Sequence, residues 1–199
     1  MALTTVRSTG IGSLPAISGA NLTSLNASNI SSGTLNSARF SGGKILQCIS
    51  FTQGSGTATS STSFVNFGSM LVTITPSSTS SKILVMHSAP STTYVDNTTN
   101  MGHVSIFRDS TNIAPHNSCF FQHQNSYATT IGANNAIYGE TTETSTMEFL
   151  DSPSTTSAIT YSLQYKSDNP TEVTLIFNCR GNGTGQAGSS VITAQEIAQ

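Results

Sequence analysis

From Gly42 onward, apolar residues fall in short runs separated by Gly, Pro, Asn and Ser, and the runs read as β-strands. Lys44–Phe51 is rich in strand formers, Ser63–Thr75 alternates, and Lys82–His87 is a short apolar run. His103–Arg108, Thr144–Leu150, Ala158–Lys166, Glu172–Cys179 and Ser190–Ile197 are further strand candidates. The punctuation agrees. Pro76-Ser77-Ser78-Thr79-Ser80-Ser81, Asp109-Ser110-Thr111-Asn112, Asp151-Ser152-Pro153, Asn169-Pro170 and Gly181–Gly185 carry turn residues between these runs. No long amphipathic helix is apparent, and Ala194–Ala198 reads as the end of a last strand. Residues 42–199 are therefore expected to form an all-β head, a β-sandwich or jelly-roll-like domain.

Residues 1–41 follow a different pattern. Their large apolar residues, Ile17, Leu22, Leu25, Ile30, Leu35 and Phe40, stand mostly five apart. That spacing fits neither a helix nor a strand. Ser, Asn, Thr and Gly fill the intervals, and these residues favour turns over helix interiors. One copy of such a segment buries too little area to offset about 1–2 kcal/mol of backbone entropy per residue. Packed about an axis with identical copies, each apolar position becomes a layer of a shared core. The expectation is an elongated trimeric stem, with those six residues as its core, inside a homotrimer. The alternative is a disordered linker, but regular recurrence of Ile and Leu is unlike a Gly/Ser linker.

Composition narrows the function classes. Only 8% of the 199 residues are charged and the formal net charge is -2, so Ser and Thr, about a third of the chain, must wet the surface. Seven basic residues, spread along the chain, form no patch for nucleic acid or for a membrane surface. No apolar run is long enough to span a bilayer, and Met1–Arg7 lacks the apolar segment of a secretory signal. Three cysteines, Cys48, Cys119 and Cys179, show no disulfide framework and read as buried free thiols of a protein made in a reducing cytoplasm.

Candidate chemistry is sparse. His116-x2-Cys119-x3-His123 has a spacing seen in zinc sites, but Phe120 and Phe121 lie within it and the segment reads as a packed loop or strand. An ion on a three-fold axis is a variant open to His87, His103, His116 or His123. Neither is expected; no metal or cofactor is assigned. Glu140, Glu143, Glu148 and Asp151 are close enough in sequence to suggest a glycosidase pair, yet they read as exposed loop and strand residues, and the chain is expected not to be an enzyme. Loop tips of the head mix aromatic faces with amides, as sugar recognition requires. The candidate receptor-binding residues are Tyr94, Asp96, Asn97, Phe120, Phe121, His123, Asn125, Tyr127, Asn134, Asn135 and Tyr138.

Several segments resemble a family of phage tail-fibre-like proteins common among marine and freshwater phages, those of cyanobacteria included. Ile17–Thr23, Ala27–Ile30 and Ser32–Phe40 are similar to its stem repeats. Gly43-Lys44-Ile45-Leu46-Gln47 resembles the junction that opens its C-terminal domain. Ile74–Val85 resembles a signature of that domain, and Pro76–Val85 is its most specific part. Phe149-Leu150-Asp151-Ser152-Pro153 with Thr160-Tyr161 is a second signature, and Ile192–Ile197 is similar to the closing strand. The resemblance implies a virion protein, a tail fibre attaching the particle to a host surface glycan or protein. It also implies an N-terminus docked on a baseplate, adaptor or capsid protein. A head fibre or capsid decoration is the alternative, and a small polysaccharide depolymerase a third reading.

Overall fold

A computed structural model of the protein describes residues 43–96, 100–114, 119, 121–125, 138–168, 173–180, 185–186 and 188–199. The six expected stem-core residues, Ile17 to Phe40, lie outside the described residues. Among the described residues every regular element is a strand: β1 Ile45–Gln53, β2 Thr57–Thr59, β3 Val65–Ile74, β4 Lys82–Asp96, β5 Asn100–Arg108, β6 Thr111–Asn112, β7 Phe121–Asn125, β8 Tyr138–Asp151, β9 Ile159–Ser167, β10 Val173–Phe177, β11 Cys179–Arg180, β12 Gly185–Gln186 and β13 Ser190–Ile197. The domain is all-β, as the hydrophobic pattern predicts, and it is built on two antiparallel sheets.

The six-stranded sheet is organised by β4. One edge of β4 pairs with β8 along almost its whole length, from Ile83↔Asp151 to Asp96↔Tyr138. The other edge is shared: β13 pairs with Lys82–Ser88 and β10 with Ser91–Val95. Pro90 falls in the interval between those two partners. Its carbonyl accepts from the Asn178 amide at 3.1 Å. In a strand the N–H and C=O of one residue point to the same edge, so the N–H that proline lacks would have faced that break. β1 lies beyond β13, and β2 beyond β10.

The five-stranded sheet runs β3, β9, β5, and the far edge of β5 is again divided, between β7 and β6. Asp109, in the turn between β5 and β6, has a φ of 52° and accepts a hydrogen bond from the Thr160 amide at 2.9 Å through Oδ1. Aspartate tolerates this left-handed conformation better than most residues.

The sheets pack through alternate residues. On β9 the inward set is Ile159, Tyr161, Leu163 and Tyr165; on β13 it includes Ile192 and Ala194; on β4, Ile83, Val85 and Ala89. β3 changes parity part-way. Phe67 and then Met70, Val72 and Ile74 are buried, and the register against β9 slips between Asn66 and Leu71. Gly68 takes the bulge with a φ of 51°, and a Cβ there would come within 2.7 Å of the Gln53 amide. The slip turns Leu71 outward, where it is 41% exposed.

Two carboxylates occupy the inner face at one end of the core. The ladders place Gln47, Glu196, Ile83 and Asp151 in one transverse row of the six-stranded sheet. Asp151, buried in this row, differs from the exposed residue expected from sequence. It accepts from Arg108 Nη1 at 2.8 Å and from the Tyr161 hydroxyl at 2.6 Å. Both partners belong to the opposite sheet, so Asp151 ties β8 to β5 and β9. Burial, then the bond to Asp151, push the Tyr161 phenol up from its ordinary value and keep it a donor.

Removing the Asp151 charge should weaken this tie. Arg108 keeps partial solvent access, so Asp151→Asn is expected to cost about 2 kcal/mol, less than a fully buried pair would. Urea unfolding, with an unchanged dependence on denaturant concentration, checks this.

Candidate functional site

The long β4–β8 ladder gives the domain two distinct ends. At one, Gly43 donates to the Ala198 carbonyl at 2.7 Å, and the Ala198 amide donates to Lys44 at 2.8 Å. The chain therefore enters β1 beside its last strand, next to Lys82. From there β4 runs 15 residues, about 46 Å at an ordinary strand rise, to Asp96. Residues 97–99 alone separate it from β5 in the other sheet.

Several candidate receptor-binding residues lie towards this far end. Tyr94 pairs in register with Glu140, and Asp96 with Tyr138. In the other sheet Asn125 pairs with Asn100, His123 with Gly102 and Phe121 with Val104. The topology thus brings six of the predicted residues, from three strands, to the end remote from Gly43. Asn97, Phe120, Tyr127, Asn134 and Asn135 lie outside the described residues.

Cys119 meets a different histidine from the two beside it in sequence. His116 lies outside the described residues. Cys119 Sγ sits 3.2 Å from His103 Nδ1, and the other ring nitrogen of His103 is 2.7 Å from Asp168 Oδ1. Among the described residues no group of three His, Cys, Asp or Glu side chains is arranged to hold a metal ion. Sequence reading missed this cluster because Cys119 and Asp168 are 16 and 65 residues from His103, the latter brought in by the β5–β9 ladder. Cys48, read as a buried thiol, is exposed: Gln47 and Ile49 take the inward positions of β1, which turns Cys48 out.

His87 is buried within the apolar run of β4. It projects from β4 into the interior, level with Ile192 and Met147, and is 4% exposed. Neither ring nitrogen has a hydrogen-bond partner. Burial lowers its pKa from the ordinary 6.5 to about 3, so the ring is neutral near pH 7. The position is not one from which a surface ion can be bound. An open pocket of about 380 Å³ lies over the same strands, lined by Met86, His87, Thr146, Met147 and Glu148. Met86, Thr146 and Glu148 are its outward-facing members, while the His87 ring faces the core.

Glu196 completes the charged interior. It is fully buried, yet four donors reach it: the Ser77 amide at 2.7 Å, the Ser77 and Ser81 hydroxyls at 2.6 Å, and Gln47 Nε2 at 2.6 Å. Burial by itself raises the pKa of such a carboxyl. Here the bonds from Ser77, Ser81 and Gln47 outweigh it and hold the group at about 2, below the ordinary 4.5.

The chain matches no protein-family model and no curated protein.

The two shifted groups predict acid sensitivity with a definite sign. Both have folded values below their unfolded ones, so their contributions are complete above the unfolded value and vanish as pH falls. His87 should cost stability as pH drops from 6.5 towards 3, and Glu196 from 4.5 towards 2. His87→Leu removes two unsatisfied nitrogens and should stabilise the fold by about 1–2 kcal/mol at pH 7. It should also flatten the loss between pH 6.5 and 4.5. Thermal melts across that range, wild type against variant, read both effects.

Proposed function

We propose that the chain is a subunit of a bacteriophage virion fibre, a homotrimer whose all-β head contacts a host-surface glycan or protein. The observation that carries this reading is the polarity of the head. The chain enters at the Gly43 end, and six candidate contact residues fall towards the opposite end of the β4–β8 ladder. In such a fibre residues 1–41 form the stem, dock the particle's baseplate, adaptor or capsid protein, and hold the head outward.

A feature of β1 supports association of copies. Of the five exposed large apolar side chains among the described residues, Ile45, Leu46 and Phe51 belong to this one strand. β1 is an edge strand paired only with β13 among the described residues, and Ile45–Gln53 contains no charge. Proteins usually guard such an edge with lysine, proline or a covering element. Sister chains around a stem axis would cover it, since β1 is the first strand after the stem. Three equivalent weak sites per fibre would then act together, and multivalency would give firm attachment without tight single contacts.

Light scattering on the full chain should return three times 20.7 kDa. Labelled fibre should bind host cells, and Asp96→Ala combined with Tyr138→Ala should lower binding several-fold with the mass unchanged. A monomer overturns the fibre. A trimer that leaves host cells untouched, located on the capsid by cryo-EM, favours decoration instead. Release of oligosaccharides from host polysaccharide would identify a depolymerase.

A further inference from the structure

The geometry points to Cys119, His103 and Asp168 as a nucleophilic thiol site that takes acyl groups from esters, independently of the role proposed for the fibre. The site is built on the outer face of the five-stranded sheet. Val104 and Ile106 of β5 face the core, so His103 faces the other way, yet it is 5% exposed. Cys119, beyond β6, lies against its ring. Asn112 Oδ1 accepts from the Ser105 hydroxyl at 2.6 Å and from the Ala114 amide at 3.0 Å, which fixes the approach of that segment to β5. Cys119 follows five residues later and is only partly buried. The base is shielded and the thiol is reachable.

The hydrogen-bond chemistry assigns the roles. A carboxylate only accepts, so the 2.7 Å contact with Asp168 requires a proton on His103 Nε2. In the neutral ring that leaves Nδ1 as an acceptor, and the atom facing it at 3.2 Å is the Cys119 thiol. A nucleophile within reach of a base, with the base oriented by a third group, is the arrangement that activates a thiol. Lys166 Nζ stands 4.0 Å from Asp168 Oδ1, at the edge of ion-pair range, and does not displace His103. Cys48 supplies an internal contrast. It is exposed, and its side-chain partner is Gln195 Nε2 at 3.7 Å, an amide that cannot take its proton.

The step balances without a redox partner. The thiol proton moves to His103 Nδ1 as sulfur attacks the ester carbonyl carbon. The S–C bond forms, the C–O bond to the leaving oxygen breaks, and that oxygen takes the proton from Nδ1. The products are a thioester on Cys119 and a free alcohol. Water then attacks the thioester carbonyl as its proton passes to Nδ1, the C–S bond breaks, sulfur takes the proton back from Nδ1, and the carboxylic acid leaves.

p-Nitrophenyl acetate tests the site on the full chain. The expected result is a burst of one p-nitrophenolate per chain, with the acetyl group found by mass spectrometry on the Cys119 peptide ahead of the Cys48 peptide. Cys119→Ala should abolish the burst, and Cys48→Ala should leave it intact. Asp168 is a positioning residue with a 37% exposed side chain, so Asp168→Asn can be expected to fold. It should slow acylation about tenfold or more, while Asp168→Glu restores the rate. Acylation of Cys119 no faster than of Cys48, or an Asp168→Asn variant with the wild-type rate, would overturn the assignment and leave the trio a structural hydrogen-bond chain.

Discussion

Two buried carboxylates in one transverse row set the terms for the rest of the fold. Glu196 and Asp151 flank Ile83 on the inner face of the six-stranded sheet, where an unpaired charge would cost several kcal/mol. They are satisfied in opposite ways. Asp151 meets a guanidinium and a phenol from the facing sheet. Glu196 meets neutral donors from the β3–β4 connection and from β1. Each solution draws together pieces that are far apart in the chain. The row therefore closes one end of the sandwich and fixes how the connection from β3 crosses between sheets.

That arrangement gives the head a direction. The closed end is also where the chain enters, beside its C-terminus. The opposite end is reached by the outer halves of β4 and β8, whose sequences, Ser91–Asp96 and Tyr138–Ser145, are largely hydroxyl, carboxylate and aromatic. A domain tied at one end can vary its composition at the other without losing its core. In the proposed fibre, the tied end continues into the stem and the other meets the host.

Much of the β-structure was legible in the sequence. β9 alternates apolar and polar residues along its sequence, and β13 coincides with the run Ser190–Ile197 expected as a strand. The outer halves of β4 and β8 were not read, because Ser, Thr and a proline fill them and periodicity needs apolar residues to register. β2 and β6 escape notice for the same reason, while β7 begins in the segment read as a packed loop or strand. The segments that carried the family resemblance have a physical meaning the sequence could not disclose. Gln47, Ser77, Ser81 and Glu196 come from three of them and meet at one carboxylate. Asp151 and Tyr161, from a fourth, meet each other. The His103 cluster was illegible because nothing local relates Cys119 to Asp168. The apolar spacing of residues 1–41 belongs to a segment outside the described residues, and its reading rests on sequence alone.

Hydrogen–deuterium exchange on Glu196→Gln tests most directly whether one carboxylate gathers three distant segments. An amide in its place loses part of the acceptor capacity that Ser77, Ser81 and Gln47 share. The account predicts that amides in 43–49, 75–81 and 194–198 lose protection together, while those of β5 and β9 keep theirs. Loss confined to one of those segments, or none at all, would contradict it.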